Sequence, residues 1–354
     1  MTEPRRRIRK RYVVLALIVA FFAYSYTWTN TPYGKLDWRA AFSLRALTPE
    51  IEIDHGGMKI PMPINGFFAV SALLPGEDVA QTKDVVIPGN DGATKIPARV
   101  YWPEGYDKAK GPLPLVVYYH GGGFVTGSVD LFDGLTRAIA NAGNAVVVSV
   151  DYRLAPKNPW PAGVDDAFSA VQWASANAAS LGGDPTRIIV GGDSAGGNLA
   201  TVVAMKARDA GAPAIAGQLL YYPVTDLTQT PYPSKAKFQD GYGLSTKAGN
   251  GFQKAYIGQV SETDRANPYI SPLKAASLAG MPRVLLLTAG FDPLTDSANA
   301  YATRLREAGV PVEHHNYADI IHGFMSVPLF SQRREALDVT ATWMKQNFAA
   351  PAAK

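Results

Sequence analysis

An open, mostly parallel α/β sheet covered by helices is the architecture that this 354-residue sequence predicts. Three observations point to it. Compact apolar runs rich in β-branched residues recur at 115–119, 145–150, 187–190, 218–222 and 284–288. Runs without polar alternation suit strands buried on both faces, as in a parallel sheet. Between and after them lie helical patterns at 131–142, 164–179, 195–210, 294–308 and 332–348, and alternation of the two kinds is the mark of an α/β fold. The length fits one large domain with an appendage.

Taken in order, the chain opens with a basic cluster: six of its 34 Lys and Arg lie within the first eleven residues, against one acid, Glu3. The remaining 28 basic and 29 acidic residues leave the body near neutral, so the excess charge belongs to a tail, not to a nucleic-acid-binding face. Residues 12–28 then carry no charge and would span ~25 Å as a helix, just short of a ~30 Å hydrocarbon core. Tyr24, Tyr26 and Trp28 stand at the far end, where interfacial aromatics sit. Residues 1–30 are therefore expected to be a signal anchor with the N-terminus inside, with a cleaved signal peptide (near Ala23-Tyr24-Ser25) as the rival.

Residues 31–80 are punctuated by Pro and Gly, with a short amphipathic stretch at 38–47. At 85–87 and 96–102, two strand-like runs flank Gly89-Asn90-Asp91-Gly92, a hairpin signal. Residues 225–280 break the strand–helix rhythm and are expected to be an insertion outside the sheet. Hydrophobic residues form 47% of the chain and charged ones 18%, which excludes disorder. Cysteine is absent, which excludes disulfides, a thiol nucleophile and Cys-ligated metal.

The sharpest chemical signal is Gly191-Gly192-Asp193-Ser194-Ala195-Gly196-Gly197, between the strand 188–190 and a helix. That is the setting of a nucleophile elbow, in which Gly192 and Gly196 make room for a strained turn that presents Ser194. A phosphate-binding turn is the competing reading, but no Lys follows Gly196 and no G-x-G opens the run. His120-Gly121-Gly122-Gly123 ends another strand, and its backbone N–H groups could form half of an oxyanion hole, the N–H of Ala195 supplying the rest.

A serine needs a base, and the base needs an orienting acid. Of five histidines, His55 precedes the sheet, His120 belongs to the glycine loop, and His314 and His315 sit inside an alternating strand pattern. His322 lies on a loop before the last helix, where such sheets place chemistry. Asp292 follows the strand 284–288 and is preferred as the acid over Asp296, although either could serve the first turn of the next helix. No H-x-x-x-H or Cys pair supports a metal site.

With these motifs in view, the chain resembles the hormone-sensitive-lipase family of α/β-hydrolases, the bacterial family IV esterases. The likeness runs from about residue 82 to the C-terminus. It rests on His120-Gly121-Gly122-Gly123-Phe124, Asp151-Tyr152-Arg153-Leu154-Ala155-Pro156, Gly192-Asp193-Ser194-Ala195-Gly196-Gly197, Asp292-Pro293-Leu294-Thr295-Asp296 and His322-Gly323-Phe324. The resemblance implies a triad of Ser194, Asp292 and His322. It also implies oxyanion donors at Gly122, Gly123 and Ala195, and an α/β-hydrolase domain over 81–354. A helical cap would be built from 31–80 and about 225–280. Lys157 stands where the family usually has Glu.

The implied activity is a serine carboxylesterase acting on short- to medium-chain esters without metal or organic cofactor. The alternatives are a ligand-binding receptor on the same fold, or a deacetylase of acetylated small molecules or glycans. Five aromatics in the insertion (Tyr232, Phe238, Tyr242, Phe252 and Tyr256) are expected to converge on the pocket and shorten it. The expected partners are a small-molecule ester and a membrane held through the N-terminal helix, with no nucleic acid and a homodimer left open. The expected location is membrane-anchored on the non-cytoplasmic side, or secreted if the signal is cleaved.

Overall fold

The computed structural model describes residues 16, 24–46, 50–55, 58–63, 74 and 76–349. Most of the apolar N-terminal run, and the side chains of 46–73, lie outside that description. No helix among the described residues is long and apolar enough to cross a membrane. The end of the run is seen from Tyr24: Trp28 stacks on Phe42, with ring centroids 6.4 Å apart, while Tyr24 and Tyr26 are exposed. Phe42 belongs to helix α1 (Trp38–Ala46), and Asp37 ahead of it donates its N–H to Asp319 O at 2.7 Å.

Eight strands form one sheet: β1 (Gln81–Pro88), β2 (Lys95–Trp102), β3 (Leu113–Tyr119), β4 (Val146–Val150), β5 (Gly183–Asp193), β6 (Gly217–Tyr221), β7 (Arg283–Phe291) and β8 (Val312–Ile321). Their spatial order is β1-β2-β4-β3-β5-β6-β7-β8. The β1–β2 hairpin is antiparallel, as is the β2–β4 pair, and the other five pairings are parallel. Leu115–Tyr119 and Val146–Val148 are fully buried, as are Ile188–Val190 and Val284–Leu287. That is why these segments read as unbroken apolar runs: helices cover both faces of the sheet.

The covering helices are α2 (Asp133–Gly143), α3 (Ala162–Leu181), α4 (Ala195–Ala210), α7 (Thr295–Glu307) and α8 (Ser331–Phe348). On one face α3 and α4 bury Val164, Ala167, Leu199 and Val202 against the inner strands, and on the other α2 and α8 contribute Leu135, Ile139, Leu337 and Trp343. Parallel order places the carboxyl ends of β3, β5, β7 and β8 at one edge of the sheet, so groups from distant sequence positions meet there.

Between β6 and β7 the chain leaves the sheet, forming the short α5 (Pro233–Lys237) and α6 (Thr246–Ile257). Ser245 caps α6 by accepting the N–H of Ala248 at 3.1 Å. The insertion meets the N-terminal segment through rings: Tyr33 lies 5.5 Å from Phe238 and 6.1 Å from Tyr242.

Candidate active site

The nucleophile position is made by backbone. Strand β5 runs into Ser194, whose φ of 54° and ψ of −116° are unusual for a residue with a side chain. The turn is held by Ser194 N–H to Tyr221 O at 2.9 Å, while Ser194 O accepts the N–H of Val224 at 3.0 Å. A Cβ on Gly196 would run into Tyr119 O, and one on Gly192 would strike the backbone of Gly196. Only glycine at both places lets α4 start this close to β3 and β5. Ser194 therefore stands at the positive end of α4, a helix of 16 residues.

The structure brings the three residues singled out from sequence into one chain of hydrogen bonds. Ser194 Oγ lies 2.9 Å from His322 Nε2, and His322 Nδ1 lies 2.7 Å from Asp292 Oδ2. His322 directly follows β8 and Asp292 directly follows β7. Asp292 is fully buried, and its other oxygen accepts the N–H of Leu294 at 2.8 Å. It thus orients the imidazole and begins the turn into α7 together. The ring of Tyr222 packs edge-on against His322, with centroids 4.8 Å apart.

Asp296 is occupied elsewhere: its Oδ2 accepts the N–H of Ser234 at 2.7 Å, fastening α5 to α7. The other described histidines are likewise committed. His314 Nε2 bonds Thr288 Oγ1 at 3.0 Å, and burial pulls its pKa down to about 4. His315 pairs with Glu313 at 2.9 Å. The side chain of His55 lies outside the described residues.

The glycine loop faces the serine. Gly122 and Gly123 have φ of 116° and 62°, and a Cβ on Gly122 would strike Thr126 O, so the loop requires glycine. Among the described residues, no acceptor takes the N–H of Gly122, Gly123 or Ala195. Gly121 is pinned from below, its N–H donating to Asp193 Oδ1 at 2.9 Å, the same oxygen that accepts Tyr118 OH at 2.9 Å. Burial raises the Asp193 carboxyl to about 6, against the lowering effect of these two donors. The His120 ring stacks between Phe132 and Tyr152, fully buried, and burial lowers its pKa to about 4. Tyr152 OH donates to His120 O at 2.8 Å.

Sequence reasoning placed Asp193 within the elbow but missed its hold on the glycine loop. A tyrosine in the apolar run 115–119 was the available signal, since a buried hydroxyl demands an acceptor.

A cavity of about 550 Å³ opens on Ser194 and His322, within the usual range for small-molecule sites. Its roof comes from the insertion, and here one expectation needs correcting. Of the five insertion aromatics, only Phe252 lines the cavity. Its ring lies over Gly123, where a Cβ would collide with it. Tyr256 stacks on Phe124 at 3.8 Å, Tyr232 OH donates to Asp226 at 2.6 Å, and Phe238 and Tyr242 turn onto Phe291. Rings with several apolar faces to bury took the neighbours nearest to them, which their spacing in sequence did not reveal. Lys157 is exposed and so does not pack beneath the site.

A serine–imidazole–carboxylate chain beside three unpaired backbone donors has the parts for acyl transfer through a tetrahedral oxyanion. Comparison with known proteins agrees. Residues 116–326 match the model of a family described as having the alpha/beta hydrolase fold. The chain is 44% identical to the carboxylesterase NlhH of Mycobacterium tuberculosis, over 68% of this chain and 75% of that protein. It is 36% identical to the ethyl acetate hydrolase of Pseudomonas putida, over 72% of this chain and 80% of that protein. Among solved structures, an esterase from Pyrobaculum calidifontis is 41% identical with a TM-score of 0.72, covering 79% of this chain and 88% of that one.

Proposed function

The chain belongs to the alpha/beta hydrolase fold family, in its hormone-sensitive-lipase-like branch of carboxylesterases, and from that premise we propose how this ester hydrolase works and on what. Ser194 Oγ attacks the ester carbonyl while His322 Nε2 takes its proton, and Asp292 holds the Nδ1–H and stabilises the imidazolium. Negative charge on the carbonyl oxygen is met by the N–H groups of Gly122, Gly123 and Ala195 and by the α4 terminus. His322 then protonates the departing alcohol. Water, deprotonated by His322, releases the acid from the acyl-enzyme. The observation that carries this reading is the unbroken Ser194–His322–Asp292 chain, at 2.9 and 2.7 Å. A receptor using the fold only to bind has no need of it.

The substrates are esters of short to medium acyl groups. One relative is named for an acetate ester, and Phe252 from the insertion bounds the cavity directly over Gly123 of the glycine loop. Activity peaks at about two to six acyl carbons and falls above about ten, each fitted methylene being worth ~0.8 kcal/mol. Profiling esters from acetate to palmitate with wild type and Ser194→Ala tests both claims. A maximum at palmitate overturns the chain-length reading, and full activity in Ser194→Ala overturns the mechanism.

The segments 31–80 and 225–280 act together as a cap over the serine. The basic cluster and the uncharged run after it support an anchored enzyme, its catalytic domain on the non-cytoplasmic side. Membrane fractionation of full-length protein, with protease access from outside, tests that location.

A further inference from the structure

Besides the serine and histidine, the cavity wall carries a cluster of polar and charged side chains that the hydrolysis does not use. Asp226, Thr230 and Lys235 line it. Asp226 is buried, and both its oxygens are satisfied. Oδ1 accepts the N–H and the hydroxyl of Thr228 at 2.8 and 2.6 Å, and Oδ2 accepts Tyr232 OH at 2.6 Å and pairs with Lys274 Nζ at 3.1 Å. Lys274 also donates to Thr230 Oγ1 at 3.0 Å. One carboxylate and one ammonium thus neutralise each other.

Lys235 is a second ammonium with no carboxylate partner among the described residues. Among the described residues its one hydrogen bond goes to Thr230 O at 3.4 Å, and its Nζ lies 5.3 Å from the centre of the Tyr232 ring. Burial lowers its pKa; Asp226 opposes that shift and Lys274 adds to it. The cluster therefore carries one positive charge with no carboxylate to balance it, half-buried beside a largely apolar cavity, and partial burial of such a charge is costly.

We propose that Lys235 marks a carboxylate-binding subsite, so that the enzyme selects esters bearing a free carboxylate remote from the scissile bond. The proposal rests on the hydrolase reading above and names its substrate class. Such a carboxylate can sit on the acyl or the alcohol side, and the experiment separates the two.

The assay compares monoethyl glutarate with its neutral amide analogue, ethyl 4-carbamoylbutanoate, and 4-acetoxybutanoate with 4-acetoxybutanamide, at pH 7.5. In wild type, kcat/KM should favour the carboxylate over the amide by about tenfold or more on one of the two sides, which identifies that side. The preference should drop below about threefold in Lys235→Met and in Lys235→Gln, and persist in Lys235→Arg. Equal or inverted preference on both sides in wild type overturns the proposal whatever the variants do. So does a preference that survives Lys235→Met. p-Nitrophenyl butyrate serves as the control: if it is not cleaved, the hydrolase reading fails instead.

Discussion

Around Ser194 the chain is held by backbone against backbone, whereas the 225–280 insertion is held to the sheet chiefly by side chains. In the first region Ser194 N–H meets Tyr221 O, Val224 N–H meets Ser194 O, and two glycines admit no Cβ because main-chain atoms already occupy the space. In the second, α5 is fastened to α7 by Ser234 Oγ to Pro293 O at 2.9 Å and by the Asp296 contact, and rings such as Phe238 and Tyr242 settle on Phe291. Catalytic geometry tolerates errors of only a fraction of an ångström, and main-chain packing supplies that rigidity. The insertion lines the cavity, and its side-chain contacts can be broken a few at a time.

Asp292→Asn and Asp296→Asn, four residues apart, should separate the two regions most sharply. The first should lower kcat by ~10⁴ with the fold intact, because the wrong imidazole tautomer is then favoured. The second should leave kcat near wild type. If Asp296→Asn is the damaging change, the division drawn above is wrong. Next in size is Gly196→Ala, whose methyl would overlap Tyr119 O. A loss of ~4 kcal/mol or more in urea unfolding is expected, since β3 and α4 cannot both keep their places.

Asp193 gives a pH-dependent test within the rigid region. Its carboxyl, raised from 3.8 to about 6, binds more proton in the folded chain than in the unfolded one. Wild type therefore loses about 2 kcal/mol on its account as pH rises from 4 to 6. His120, lowered from 6.5 to about 4, acts oppositely and gains stability over nearly the same interval. The two largely cancel. Asp193→Asn removes the falling contribution, so its stability relative to wild type should climb by about 2 kcal/mol between pH 4 and 6, measured by urea titration. A flat difference would mean that Asp193 does not titrate in that window. Smallest is Ser234→Ala, which removes the hydroxyl that bridges α5 and α7. A cost of about 1–2 kcal/mol and a few-fold rise in KM with kcat retained are expected.

The same contrast decides what could be read from the sequence. Gly192, Gly196 and the loop 121–123 were legible because backbone crowding leaves glycine no substitute, and the strands were legible because burial on both faces leaves no polar alternation. Asp292 was separable from Asp296 by its place directly after a strand. The insertion was legible only as a departure from the rhythm. Tyr232, Phe238, Tyr242 and Tyr256 each have several apolar or polar partners within reach, and which one wins depends on tertiary neighbours such as Phe124, Asp226 and Phe291. The charged cluster joins residues 226, 235 and 274, and no spacing announces it. Lys157, which stands where the resembled family usually has Glu, is exposed and should change little when replaced by Glu.

The base that completes the hydrogen-bond chain stands 128 residues beyond the serine it serves, at the tip of the sheet's edge strand. During synthesis, at ~5–20 residues per second, the elbow emerges on the order of ten seconds before its imidazole. Within that interval β6 also emerges and can pair with β5 beside β3, yet the nascent chain holds a serine with no base to ionise it. Competence arrives only when β8 docks in parallel against β7, a non-local pairing of the slow kind. A ribosome-bound fragment ending before residue 322 is thus inert toward the esters around it, and hydrolysis begins as a late event of folding.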